Sequence, residues 1–255
     1  MAETTDNAFL GGRLQILQPR DGYRAGIDPV LLAASVPART GQSVLELGCG
    51  GGTALLCLGA RVAGLRLTGV ERQGDYARLA QENARRNGME IAVVEADLDD
   101  LPTALKSVSF DHVIANPPFF RRDSSHASDN AAREAGRGES LSLARWVEVA
   151  ARRLRPGGLA SFIQRAERLP ELLAACDGRL GSLELLPLCP REGRAARLIL
   201  LRGRKGGGAA FCLHAPVVLH RGARHERDGE DYSPMISDVL RNGAALPFGS
   251  TAPAD

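Results

Sequence analysis

Lysine is almost missing from this chain. Of 255 residues, 32 are basic, yet only Lys106 and Lys205 are lysine and the rest are arginine. So lopsided a ratio is the mark of codon bias, not of selection for phosphate contacts, and a net charge of +2 announces no nucleic-acid partner. Long apolar runs are missing too. No stretch approaches the roughly 18 apolar residues of a membrane span, so no membrane association is expected. Met1 to Gly12 holds acidic and polar residues without an apolar core, unlike a secretory signal, and residence in the cytoplasm is the expectation. The five cysteines (Cys49, Cys57, Cys176, Cys189 and Cys212) form no C-x-x-C pair. Their odd number and wide spacing argue against a disulfide framework and a zinc site alike, so they read as small reduced core residues and no metal is expected. There is no internal repeat and no long low-complexity segment.

What is present is an ordered alternation of strands and helices. Residues 28–36 read as a helix with Asp28 as N-cap and Pro29 in its first turn. A strand is expected at 43–47, a helix at 53–63, a strand at 66–70 and a helix at 75–86, stopped by Asn87-Gly88. Strands follow at 91–95 and 110–115, a helix at 141–154 ending before Pro156-Gly157-Gly158, a strand at 159–164 and a short helix at 169–176. Residues 183–188 and 197–201 read as an antiparallel pair, 211–219 as a weaker strand, and Asp231-Tyr232-Ser233-Pro234 as the opening of a last helix. Such alternation predicts an α/β fold with a doubly wound, mostly parallel seven-stranded sheet, an antiparallel edge hairpin and helices on both faces. Residues 1–40 are expected to form a cap segment over the ligand edge, and 41–255 the main domain.

In open sheets of this kind ligands bind at the carboxyl ends of the strands, and three acids fall there. Glu46 precedes a glycine turn, Gly48-Cys49-Gly50-Gly51-Gly52, in the pattern E-x-G-x-G-x-G. Glycine tolerates positive φ and lets a ligand approach bare backbone. A dinucleotide fingerprint requires a sixth-position glycine, and Thr53 stands there instead. An acid two residues before the first glycine suits a ligand with a cationic amino-acid end and no pyrophosphate, namely S-adenosylmethionine. Glu71, at the second strand's end, can accept both ribose hydroxyls; Asp97, after the third, can take an adenine amino group. Singly each reads equally well as an exposed loop acid. Together, at successive strand ends, they define a nucleoside site.

The fourth strand runs into Asn116-Pro117-Pro118-Phe119. Alone this tetrapeptide also reads as a plain turn. Two prolines stiffen the loop and donate no N–H, leaving their carbonyls free to accept; the Asn amide both donates and accepts, and Phe119 offers a flat apolar face. The set suits a planar group bearing an NH₂. If Asn116 Oδ1 and the Pro117 carbonyl accept its two N–H bonds, the nitrogen lone pair is freed to attack a methyl group. His112, inside the preceding strand, reads as a packed core residue and not as a base. Arg121, Arg122, Arg194 and Arg197 lie in two arginine-rich stretches that read as solvated surface or as a phosphate-tracking groove.

On these residues the chain is similar to the class I S-adenosylmethionine-dependent methyltransferases, in their N-P-P-[FY] branch. Within that branch it resembles the bacterial tRNA1(Val) adenine-N6 methyltransferases, which modify the adenine beside the anticodon. Gly26-Ile27-Asp28-Pro29-Val30-Leu31-Leu32-Ala33 looks like that family's G-x-D-x-x-L-L-A segment, and Asp231-Tyr232-Ser233 like its N-Y-S segment. The resemblance implies Asp28 as a further cofactor-side residue, a tRNA substrate and a monomer. Phe119 departs from the Tyr frequent in close relatives; N-P-P-F also occurs in enzymes acting on the exocyclic amine of guanine in ribosomal RNA, and N-P-P-Y in those acting on a protein glutamine. Outside these, a NAD-dependent oxidoreductase is disfavoured by Thr53, and a non-catalytic cofactor- or RNA-binding module has no need of an intact Asn116 loop.

Overall fold

The computed structural model of the chain describes residues 3–119, 141–222 and 231–249. Its central sheet contains β3 (Ser43–Leu47), β4 (Arg66–Glu71), β5 (Ile91–Glu95), β6 (Phe110–Ala115), β7 (Leu154–Arg165), β8 (Gly181–Cys189) and β9 (Leu198–Arg204). Two-residue strands β10 (Cys212–Leu213) and β11 (Val217–Val218) flank β8. The spatial order is β10-β8-β9-β7-β6-β3-β4-β5, with β11 also on β8. Strands β3 to β7 are parallel, while β9 is antiparallel to both neighbours.

The expected seven strands are all there, and the expected antiparallel hairpin, β8 with β9, lies at one side of the sheet with β10 and β11 outside it. One expectation is corrected. The weak strand expected at 211–219 is two fragments, because a proline and a histidine, His214 to Pro216, interrupt the run.

Alternation along each strand sorts side chains to two faces. Val44, Ile114, Ile163 and Leu200 enter one core with α1 (Asp28–Ser35), α2 (Thr53–Arg61), α3 (Gly74–Arg86) and α7 (Pro234–Asn242). Leu45, Leu47, Val113, Phe162 and Leu201 enter the other with α4 (Thr103–Lys106), α5 (Leu143–Arg153) and α6 (Leu169–Cys176). Central β3 is buried on every residue, as a strand covered on both faces must be.

Three local expectations are revised. Asp28 is not the N-cap of α1: Ile27 occupies that place and Asp28 sits in the first turn. α5 gives way to β7 at Leu154 without a break, and Pro156-Gly157-Gly158 lies inside a strand whose register shifts between Phe110/Leu154 and His112/Leu159. The first forty residues also hold an unforeseen hairpin, β1 (Thr4–Phe9) with β2 (Leu14–Pro19). Its Leu14 and Ile16 enter the same core as α1 and α2. Fully buried Asn83 of α3 binds it, accepting from Leu17 N and donating to Leu17 O (2.8 and 3.0 Å), and donates to Gly51 O (3.0 Å). One amide thereby ties the hairpin to the glycine turn.

Candidate active site

The carboxyl ends of β3, β6 and β7 stand level, with Leu47 opposite Ala115 and Ala115 opposite Phe162. The glycine turn and the Asn116 loop leave this shared edge side by side.

Gly48 adopts φ +64°, and a Cβ there would lie 2.6 Å from the Trp146 ring. Only glycine fits, because the left-handed conformation and the indole each exclude a side chain. Gly52, at φ +82°, caps the start of α2. The turn is pinned by Cys49 N donating to Val70 O and Gly50 N to Glu71 Oε2, both at 2.9 Å.

Glu46 shares the strand parity of Val44 and is 3 % exposed, yet its Oε2 has no hydrogen-bond partner. Burial raises its carboxyl well above the usual range; the Leu55 backbone opposes the rise and the Glu71 charge adds to it. A buried carboxylate oxygen without a donor is costly unless a cation or donor arrives.

Glu71 is also buried, but both its oxygens accept backbone N–H groups, from Gly50 and from Gln73 (2.8 Å). An ionised carboxylate has about four acceptor positions, so each oxygen keeps capacity for a hydroxyl. Asp97 follows β5, accepts from Asp99 N (2.9 Å) and pairs with Arg72 at 3.7 Å. Asp28 is half-buried; burial raises its carboxyl and the Arg165 charge opposes that.

In the Asn116 loop, Pro117 is buried and Pro118 exposed. Neither carbonyl is free, contrary to the sequence expectation. Pro117 O accepts from Gln164 Nε2 (3.2 Å) and Pro118 O from Arg168 Nη1 (2.9 Å), whose guanidinium is held by both oxygens of Glu171. The buried Pro117 carbonyl requires a partner, and each carbonyl retains a second lone pair. Asn116 Nδ2 lies 3.5 Å from the Tyr23 hydroxyl. The Arg165 guanidinium sits 5.3 Å from the Phe119 ring centroid, a cation–π distance.

Sequence reasoning missed Tyr23, Gln164, Arg165 and Arg168. Gln164 and Arg165 end the apolar run of β7, at the edge where β3 to β6 carry their functional groups, and the same strand-end rule finds them. Tyr23 lies in a polar loop between β2 and α1, where no periodicity marks it. Tyr76 Oη donates to its carbonyl (3.1 Å), and its ring stands 3.8 Å from where a Gly50 Cβ would be.

Arg121 and Arg122 fall outside the described residues. Arg194 and Arg197 are exposed in the β8–β9 turn, in no ion pair among the described residues. Arg197 O accepts from Ala166 N (3.0 Å), which ties that turn to the segment after Gln164. The rest of the basic run is engaged: Arg191 pairs with Asp231, Arg202 with Glu184, and Arg204 donates to Gly157 O. His112 is buried as expected, with Nε2 3.1 Å from Gln42 Oε1. All five cysteines are free thiols, Cys49, Cys57 and Cys176 buried and Cys212 exposed. No described helix is long and apolar enough to cross a membrane.

A strand order with one antiparallel member, an acid-flanked glycine turn and an N-P-P-F loop on one edge define a class I methyltransferase. The methyltransferase small domain model matches residues 25–179, and the chain belongs to that family, in the group of its tRNA1(Val) (adenine(37)-N6)-methyltransferase relatives. The enzyme of that name from Actinobacillus succinogenes is 31 % identical over 200 residues, covering 76 % of this chain and 82 % of its own. The one from Porphyromonas gingivalis strain ATCC 33277 is 33 % identical over 186 residues, covering 68 % and 71 %. Among solved structures, a predicted O-methyltransferase from Agrobacterium tumefaciens superposes with a TM-score of 0.69 at 27 % identity, over 88 % of this chain and all of its own. The Thermus thermophilus 16S rRNA N2 G1207 methyltransferase has the same fold, with a TM-score of 0.55 at 22 % identity over 80 % of this chain and 50 % of its own.

Proposed function

We propose that this enzyme transfers a methyl group from S-adenosylmethionine to N6 of an adenine in a tRNA anticodon loop. One observation carries the reading. The Asn116 loop stands on the same sheet edge as a glycine turn backed by a buried, unpartnered carboxylate oxygen.

The residues fit the cofactor. Glu46 Oε2 lacks the donor that an ammonium group supplies; Gly48 and Gly50 bare the backbone; Glu71 retains acceptor capacity for ribose hydroxyls; Asp97 offers a carboxylate to the adenine amine. Asp28 contributes charge at the near end of α1. When bound, S-adenosylmethionine supplies a methyl group already activated on a sulfonium, so positioning is the main task left to the protein.

The acceptor amine has its lone pair delocalised into the purine ring. Asn116 Oδ1 and the remaining lone pair of the Pro117 carbonyl accept its N–H groups, drawing the nitrogen toward tetrahedral geometry and meeting its developing positive charge with fixed dipoles. Pro118 keeps the loop stiff. Phe119 stacks on the base, worth about 1–3 kcal/mol, with Arg165 beside its ring. A base must leave its stack to reach such a pocket, which costs least in a single-stranded loop. Arg194 and Arg197, with Arg121 and Arg122, track the backbone phosphates.

The adenine assignment takes its support from the relatives' names. Purified enzyme with methyl-labelled cofactor, offered separate tRNA, ribosomal RNA and protein fractions, is expected to label tRNA. The label should appear as N6-methyladenosine and vanish with Asn116→Ala. Label in ribosomal guanine or in a protein glutamine refutes the assignment.

A further inference from the structure

The two acceptor atoms assigned to the Asn116 loop are useful only if both face the incoming amine, and each is held by a side chain from a different element. Gln164 is fully buried at the end of β7. Its Nε2 donates to Pro117 O at 3.2 Å, and its Oε1 accepts from Arg165 N at 2.9 Å. The amide therefore has a fixed orientation, and the carbonyl it binds has one lone pair left to aim. On the other side, Asn116 Nδ2 faces the Tyr23 hydroxyl at 3.5 Å. An Asn amide with its nitrogen toward Tyr23 turns Oδ1 the other way.

In this pair the phenol oxygen is the acceptor, because an amide nitrogen carries two hydrogens and no lone pair to give. The Tyr23 backbone is in turn fixed by Tyr76 Oη. A flipped Asn116 amide would present two N–H donors to an amine that also donates, and the acceptor geometry would be lost.

We infer that Tyr23 and Gln164 are the positioning residues of the acceptor loop, Tyr23 setting the Asn116 amide with Oδ1 toward the acceptor nitrogen and Gln164 setting the Pro117 carbonyl. The inference rests on the methyl-transfer reading above. It makes Tyr23, which also lies over the glycine turn, the residue that links the donor half of the site to the acceptor half.

The test uses Tyr23→Phe, which keeps the ring on a loop residue that is 45 % exposed, and Gln164→Met, which keeps the volume. Single-turnover methyl transfer is measured with saturating enzyme on whichever substrate fraction the wild type labels. The identity of that fraction judges the substrate assignment, and the variant-to-wild-type rate ratio judges this inference. Each variant is expected to lose about tenfold or more in rate, on the scale of a small misplacement of reacting groups, with cofactor affinity by calorimetry within about twofold of wild type. The loss should fall on the single-turnover rate alone, with RNA affinity and Tm also kept. A purely structural Tyr23 or Gln164 would lower cofactor affinity and Tm together with the rate. That result, an unchanged rate in Tyr23→Phe, or a tenfold loss of cofactor affinity in either variant overturns the inference.

Discussion

Replacing Glu46 by Gln should stabilise the unliganded protein and cripple cofactor binding. Glu46 is 3 % exposed and its Oε2 has no partner. An unpaired buried charge costs several kcal/mol, so the carboxyl retains its proton well above its ordinary value of 4.5. A carboxyl whose folded-state pKa is raised contributes stability that is fully present below the unfolded value and is lost as pH rises through the folded one. Glutamine has nearly the same volume and no charge to lose. Below pH 4.5 variant and wild type should therefore melt together; as pH rises through the raised pKa the variant should pull ahead. At this chain length each kcal/mol of difference moves Tm by about 2–4 °C. The cofactor's ammonium would lose a charge-assisted hydrogen bond worth about 1.5–3 kcal/mol, or roughly 10- to 150-fold in Kd. Scanning calorimetry across pH and titration with S-adenosylmethionine measure both. An unchanged Kd, or a variant less stable than wild type at pH 8, refutes the assignment of Glu46 to the cofactor's amino group.

Gly48→Ala puts a Cβ 2.6 Å from the Trp146 ring at φ +64°; overpacking of about 1–3 kcal/mol with about 1–2 more for the left-handed backbone should lower Tm by several degrees, and an unaltered Tm contradicts the described packing. His112 is 4 % exposed, and burial, the largest cause, lowers its pKa from 6.5 to about 4. The stability from its neutral form is present above pH 6.5 and disappears as pH falls through about 4, roughly 3 kcal/mol at 1.36 per pKa unit; denaturant titrations should show that pH dependence flattened in His112→Gln. Reversing Arg194 and Arg197 to Glu should weaken RNA binding and reduce the slope of log K against log salt by about 1.4–1.8 for two phosphate contacts. An identical slope assigns the pair to ordinary surface.

The strand ends were legible because each parallel strand is a short apolar run closed by a polar or glycine residue, and one rule about sheet edges reads them all. Glu46 is the last residue but one of β3, Glu71 ends β4, Asp97 lies just past β5, and Asn116 directly follows β6. What stayed hidden depends on long-range geometry. Gln164 and Arg168 hold the carbonyls of Pro117 and Pro118 from about fifty residues away, and no local pattern announces such a bond. The β1–β2 hairpin escaped because Thr4 to Phe9 is mostly polar, although Leu14 and Ile16 alternate as a half-buried strand should. The arginine run at 191–204 misled by count: Asp231 and Glu184 pair with two of its members from distant segments, and Arg204 is spent on the Gly157 carbonyl, which leaves Arg194 and Arg197 exposed and in no ion pair among the described residues.

The most direct test of the account is nucleoside mass spectrometry on unmodified tRNA incubated with S-adenosylmethionine and either wild-type enzyme or Asn116→Ala. The account predicts N6-methyladenosine in the anticodon loop with wild type and none with the variant, whose cofactor affinity stays near wild type. Formation of N2-methylguanosine instead, or the same yield of N6-methyladenosine without Asn116, contradicts it.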